Sequence, residues 1–111
     1  MPLAAYGTRE VRMESAALLT ADAIDTLIDT ADAVHLAGEG TRRYVWISLP
    51  GGIDTTDVGG RHVVINVSIT GQITEFHGLS LANLTGSIPA RRGTFRMMVE
   101  AQQSAVLLNA S

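Results

Sequence analysis

The chain has 111 residues and 11.8 kDa, room for one domain, and with 46% hydrophobic against 17% charged residues it can bury a core rather than stay disordered. A net charge of −3, from eight arginines and no lysine against eleven acidic residues, argues against a nucleic-acid footprint. Without lysine there is no amine for Schiff-base chemistry, and without cysteine there is no disulfide, thiol nucleophile or thiolate metal site.

Met1 to Leu19 is interrupted by Arg9, Glu10, Arg12 and Glu14, so it has no apolar leader core, and no run reaches the roughly 18 apolar residues of a membrane helix. The reading is a cytoplasmic protein without membrane contact, in which the Asn-x-Ser/Thr triplets at Asn66, Asn83 and Asn109 are incidental. A mean hydropathy of +0.21 in so small a chain points to a core completed by oligomerisation.

In chain order, Leu3 to Ser15 is strand-like, because Val11 and Met13 alternate with Glu10, Arg12 and Glu14. Thr20 sits where a helix N-cap belongs, with Asp22 and Asp25 in the first turns. Ile24, Leu27, Ile28, Ala31 and Val34 then form one apolar stripe, with Asp22, Asp25, Asp29 and Asp32 opposite and Gly38 and Gly40 ending the run. Tyr44 to Leu49 is β-branched and aromatic and is stopped by Pro50-Gly51-Gly52. Gly51 to Gly60 reads as a loop or hairpin end.

His62 to Thr70 alternates cleanly, with Val63, Ile65, Val67 and Ile69 on one face. For Thr74 to Ile88 the spacing of Phe76, Leu79, Leu81, Leu84 and Ile88 predicts a second helix, capped by Thr74 and ending before Pro89. Phe95 to Val99 reads as a last strand, followed by a tail or short hairpin. This order implies an α+β fold: two β-α-β halves, about 2–50 and 61–107, forming one four-stranded sheet with two helices on one face. The bare sheet face would be covered by another subunit.

Met1-Pro2, the short strand, the helix carrying Ile28-Asp29-Thr30-Ala31-Asp32-Ala33-Val34, the strand ending at Pro50 and the Val63–Gly71 strand leading to Thr74-Glu75 together resemble the tautomerase superfamily. The resemblance spans nearly the whole chain, as order, length and spacing rather than a dense motif. It implies the twice-repeated β-α-β unit packed sheet to sheet in a homotrimer, and a catalytic Pro2 freed by removal of Met1. It also implies a small carbonyl or enol substrate and no cofactor. A terminal proline is a secondary amine, and burial and nearby cations lower its pKa. It can then move a proton between the carbon and oxygen of an enol. With Met1 retained, the Pro2 nitrogen is an amide and no base.

By the same resemblance Arg12 and Arg43 are candidate contacts to a substrate oxygen pair, and Phe95, with Met97, lines the pocket. His35 matches a histidine of the dehalogenase branch, while as a residue it equally suits the negative end of a helix. For both arginines a solvated surface position is the alternative. Ser68 to Ile73 holds no basic residue where the dehalogenase and decarboxylase branches carry arginines, which favours a neutral or larger carbonyl substrate. Asp54, Asp57 and His62 read as a solvated turn rather than a metal set, and Arg91, Arg92 and Arg96 as a loop face or subunit contact. Two functions follow. One is enol–keto isomerisation with Pro2 as general base, with dehalogenase- or decarboxylase-like side activity. The other is a non-catalytic binding module, such as an immunity-type partner whose acidic helix face suits a basic protein.

Overall fold

The computed structural model describes the backbone from Pro2 to Ser111 and side chains from Ala16 onward. The elements are α1 (Pro2–Ala37), β1 (Arg42–Leu49), β2 (Ile53–Gly59), β3 (His62–Ile69), β4 (Gln72–Leu79), β5 (Leu84–Gly86), β6 (Gly93–Ala101) and β7 (Val106–Ala110). One sheet has the order β1-β6-β7-β5, antiparallel except for the β5–β7 pair, and the other is the antiparallel meander β2-β3-β4.

The fold is therefore mostly β, with one helix, and the two β-α-β halves are overturned. Thr74 to Ile88 is not a helix: its first part completes β4, its last part contains β5, and Phe76 and Leu79 lie on opposite faces of a strand. The deciding feature is the turn before it. Thr70 and Gly71 have φ of 51° and 81°, the two positive values of a type I′ hairpin, so the chain folds back onto β3 instead of crossing over. Leu3 to Ser15 is not a strand either, since α1 begins at Pro2. Consequently Thr20 is no N-cap: it is buried within α1, and its hydroxyl donates to the Ala16 carbonyl at 2.8 Å. The trimer expected from sheet-to-sheet packing loses its basis with that fold.

Gly51 to Gly60 is not a loop, because Ile53–Gly59 forms β2, which places Asp54 and Asp57 on a strand paired with β3, where His62 begins. Three further readings hold. Val63, Ile65 and Val67 are fully buried, Ile69 packs against the core, and α1 buries Ile24, Leu27, Ala31 and Val34 and ends at Ala37 before Gly38. The chain after β6 turns back as a hairpin into β7.

The two sheets meet on one side only. There Leu84 donates its amide to the Gly60 carbonyl at 2.6 Å and the Thr56 hydroxyl donates to the Ile88 carbonyl at 2.9 Å, joining the β5 region to β2. On the other side α1 lies between β1 and β4 and touches both sheets. Its apolar stripe meets Ile47, Leu49, Met97 and Val99 of one sheet and the β3 valines of the other in a single core. A helix in this position also shields the outer strands of both sheets from pairing with other chains.

Two backbone positions make this packing feasible. A Cβ on Gly78 would stand 2.6 Å from Ile24 Cγ2 and 2.9 Å from Ile28 Cγ1, so β4 accepts the helix only with glycine there. Gly86, at φ 108°, would overlap the Leu108 carbonyl if it carried a side chain. A polar tie adds direction. Asp32 turns inward from the acidic face, and its Oδ1 accepts from the Ser80 hydroxyl at 2.6 Å and the Leu81 amide at 2.9 Å. Ser80 is buried, its oxygen accepts from the Ala82 amide at 3.1 Å, and its carbonyl accepts from Arg61 Nε at 2.8 Å.

Gly78→Val should cost about 1–3 kcal/mol by overpacking, read by chemical denaturation, while His77→Val, exposed on the neighbouring position, should stay within about 0.5 kcal/mol. Asp32→Ala should cost about 1–3 kcal/mol by stranding the buried Ser80 hydroxyl. Asp32→Asn keeps an acceptor oxygen and should cost less in the same assay.

Candidate docking face

Strand alternation decides what reaches the surface. In β1, Val45, Ile47 and Leu49 point to the core, so Tyr44, Trp46 and Ser48 point outward. In β6, Phe95, Met97, Val99 and Ala101 face inward, which turns Thr94, Arg96, Met98 and Glu100 outward. The register places Trp46 opposite Arg96, Tyr44 opposite Met98 and Arg42 opposite Glu100. The outer face is thus a row of aromatic, arginine and methionine side chains on a rigid pair of strands.

Trp46 is 66% exposed and Tyr44 49%. The Arg96 guanidinium carbon lies 4.9 Å above the Tyr44 ring, and its Nη2 donates to the Ser111 hydroxyl at 2.9 Å. Arg91 stands equally close, 4.9 Å, over the Phe95 ring. Trp46 separates two concavities. A groove of about 200 Å³ lies between it and α1, lined also by Leu19, Asp22 and Thr26. A second, of about 420 Å³, runs along β6 with Arg91, Phe95, Arg96 and Ser111.

At the far end of this face, Arg42 donates through Nε and Nη2 to one Glu100 oxygen, at 2.9 and 2.6 Å. That hydrogen bonding, helped by Gln102, holds the Glu100 carboxyl below its ordinary pKa, and the same bond raises that of Arg42.

Of the described residues expected to form an active site, Phe95 lies apart from His35 and Arg43. Pro2 and Arg12 have side chains outside the described residues. His35 is exposed in the last turn of α1 and lines a third cleft, of about 350 Å³, with Arg61, Asn83, Gln102 and Gln103. Arg43 is exposed at the start of β1, while Phe95 is half-buried beneath Arg91 at the other end of the sheet. The six steps of β6 from Phe95 to Ala101 span about 20 Å. Ala101 marks the end near the helix terminus, since its carbonyl accepts from the Gly40 amide at 2.8 Å. His35 and Phe95 therefore serve separate surfaces. The acidic helix face keeps Asp22, Asp25 and Asp29 exposed and loses Asp32 to Ser80.

Sequence reasoning passed over Trp46. Its signal was present, because Trp46 shares the parity of Tyr44 and Ser48 and opposes that of Val45, Ile47 and Leu49. Among the described residues no group of His, Asp or Glu is placed to hold a metal ion, and no helix is long and apolar enough to cross a membrane. No protein-family model matches the chain, and comparison with curated proteins and with solved structures finds no match.

Because Glu100 is more acidic in the folded chain, its pairing stabilises the fold above the ordinary carboxylate range and is lost as pH falls through its lowered native value. The stability difference between the native chain and Glu100→Gln, followed by thermal melts across pH, should be flat near neutrality. It should shrink towards zero in acid.

Proposed function

We propose that this chain is an interaction module that docks another protein surface on the outer face of its four-stranded sheet. The observation that carries the reading is the exposure of Trp46 on the edge strand β1, between two concavities and beside an arginine already fixed by a ring and a hydroxyl. A tryptophan buries about 150–250 Å². Covering the two-thirds of Trp46 now in water yields roughly 3–4 kcal/mol before the costs of association. The cleft beside His35 offers a smaller apolar side chain, Leu81.

Aromatic and arginine side chains held on a sheet also lose little conformational freedom on docking, which is why such residues dominate binding energy at interfaces. Tyr44 and Met98 extend the apolar ground in the row next to Trp46, with Asn109 at its end, and Arg42 and Glu100 form a polar row beyond, flanked by Leu107.

A photo-reactive side chain at Thr94, exposed beside Trp46, should give discrete protein adducts in cells that make the chain. The same group at Ser68, exposed on the other sheet, should give none. Adding Trp46→Ala to the Thr94 variant should abolish the adducts. Absence of adducts at Thr94 from folded, accumulated protein would falsify the reading.

A further inference from the structure

The charges on the two sides of Trp46 are opposite. Asp22 of α1 shares the groove on one side with Leu19, and Arg96 of β6 stands on the other, directly across the strand pair. Asp22 is exposed and has no hydrogen-bond partner among the described residues, and of the Arg96 guanidinium nitrogens only Nη2 has an acceptor there. Across the strands the order is therefore acid, tryptophan, arginine. That order is its own complement. Rotation by 180° about an axis lying in the face, along β1 and through Trp46, brings Trp46 onto Trp46, sets each Asp22 against an Arg96, and brings Arg42, paired with Glu100 of its own chain, against its copy.

We propose that the surface docked on this face is the same face of a second copy of the chain, in a two-fold dimer with paired Trp46 rings and two Asp22–Arg96 ion pairs. The inference rests on the reading of this face as a docking surface and names its occupant. An isologous contact of this kind closes on itself, so it stops at two copies. Its size sets its strength. Eight paired residues of β1 and β6 give a length of about 26 Å. A width of about 20 Å, from α1 to β7, makes roughly 500 Å² in projection, below the ~800 Å² per partner of a standard interface. An interface below the standard size fits a dissociable dimer. The ion pairs fix its register and make it salt-sensitive.

The test is sedimentation equilibrium of the full chain over a wide concentration range, at low and high salt, with Trp46 emission followed in parallel. Trp46 is the only tryptophan, so a blue shift on association reports this face alone. The expected result is a monomer–dimer equilibrium that weakens with salt and is accompanied by the blue shift. Asp22→Arg and Arg96→Asp should each weaken it at least tenfold, because each sets like charges face to face twice. The two substitutions combined should restore it. A monomer at all concentrations, an assembly of another stoichiometry, or a folded double variant that fails to recover association overturns the dimer. If the chain is monomeric while Thr94 still gives adducts with a different protein, the docking face stands and its occupant is not a second copy.

Discussion

At Gly78 the backbone of β4 comes so near Ile24 and Ile28 that no side chain fits between them, and the position of α1 is set there. Much else follows from that contact. With the helix seated between β1 and β4, the two sheets cannot close directly on each other along that side, and they join only through the β5–β2 approach. The helix stripe fills the gap, so Leu27, Ala31 and Val34 are as deeply buried as the valines of β3. Asp32 then fixes the helix along its axis by holding Ser80 and Leu81.

The outer face depends on the same seat. Because α1 presses on Val45, Ile47 and Leu49, the alternation of β1 leaves Tyr44 and Trp46 no direction but outward. The strand that carries the face is thus anchored by the core beneath it. Large apolar side chains also stand exposed at Leu36, Ile73, Leu79 and Leu81. Scattered residues of that kind are ordinary on a protein surface. What distinguishes Trp46 is its setting, with a second aromatic, a methionine and a stacked arginine on one sheet and a groove on each side.

Elements with a strict period were legible in the sequence. The β3 alternation and the helix stripe are read directly, because burial on one side leaves no freedom in register. The second half was misread for a physical reason. Phe76, Leu79, Leu81, Leu84 and Ile88 mimic helical spacing, yet Leu79 and Leu81 are exposed and only Leu84 and Ile88 are buried. The competing signal was Thr70-Gly71, since a non-glycine residue at positive φ is uncommon and its turn was invisible to hydropathy. Thr20 misled in the same way: a threonine hydroxyl that can cap a helix can also bond backwards within one. The candidate site suffered most, because arginine spacing carried over from another fold has no meaning once the strands are differently connected.

The meander β2-β3-β4 lies wholly inside the stretch of chain between β1 and β6, which are neighbours in the other sheet. Its hairpins are local and can form within microseconds, whereas β1 must find β6 across everything from Leu49 to Gly93. Prior collapse of the meander shortens the effective loop that this search must close. The order of assembly is thus written into the connectivity. On this connectivity the meander is expected to form before β1, β6 and β7 come together around it with α1. The face that carries Trp46 is then among the last parts expected to form.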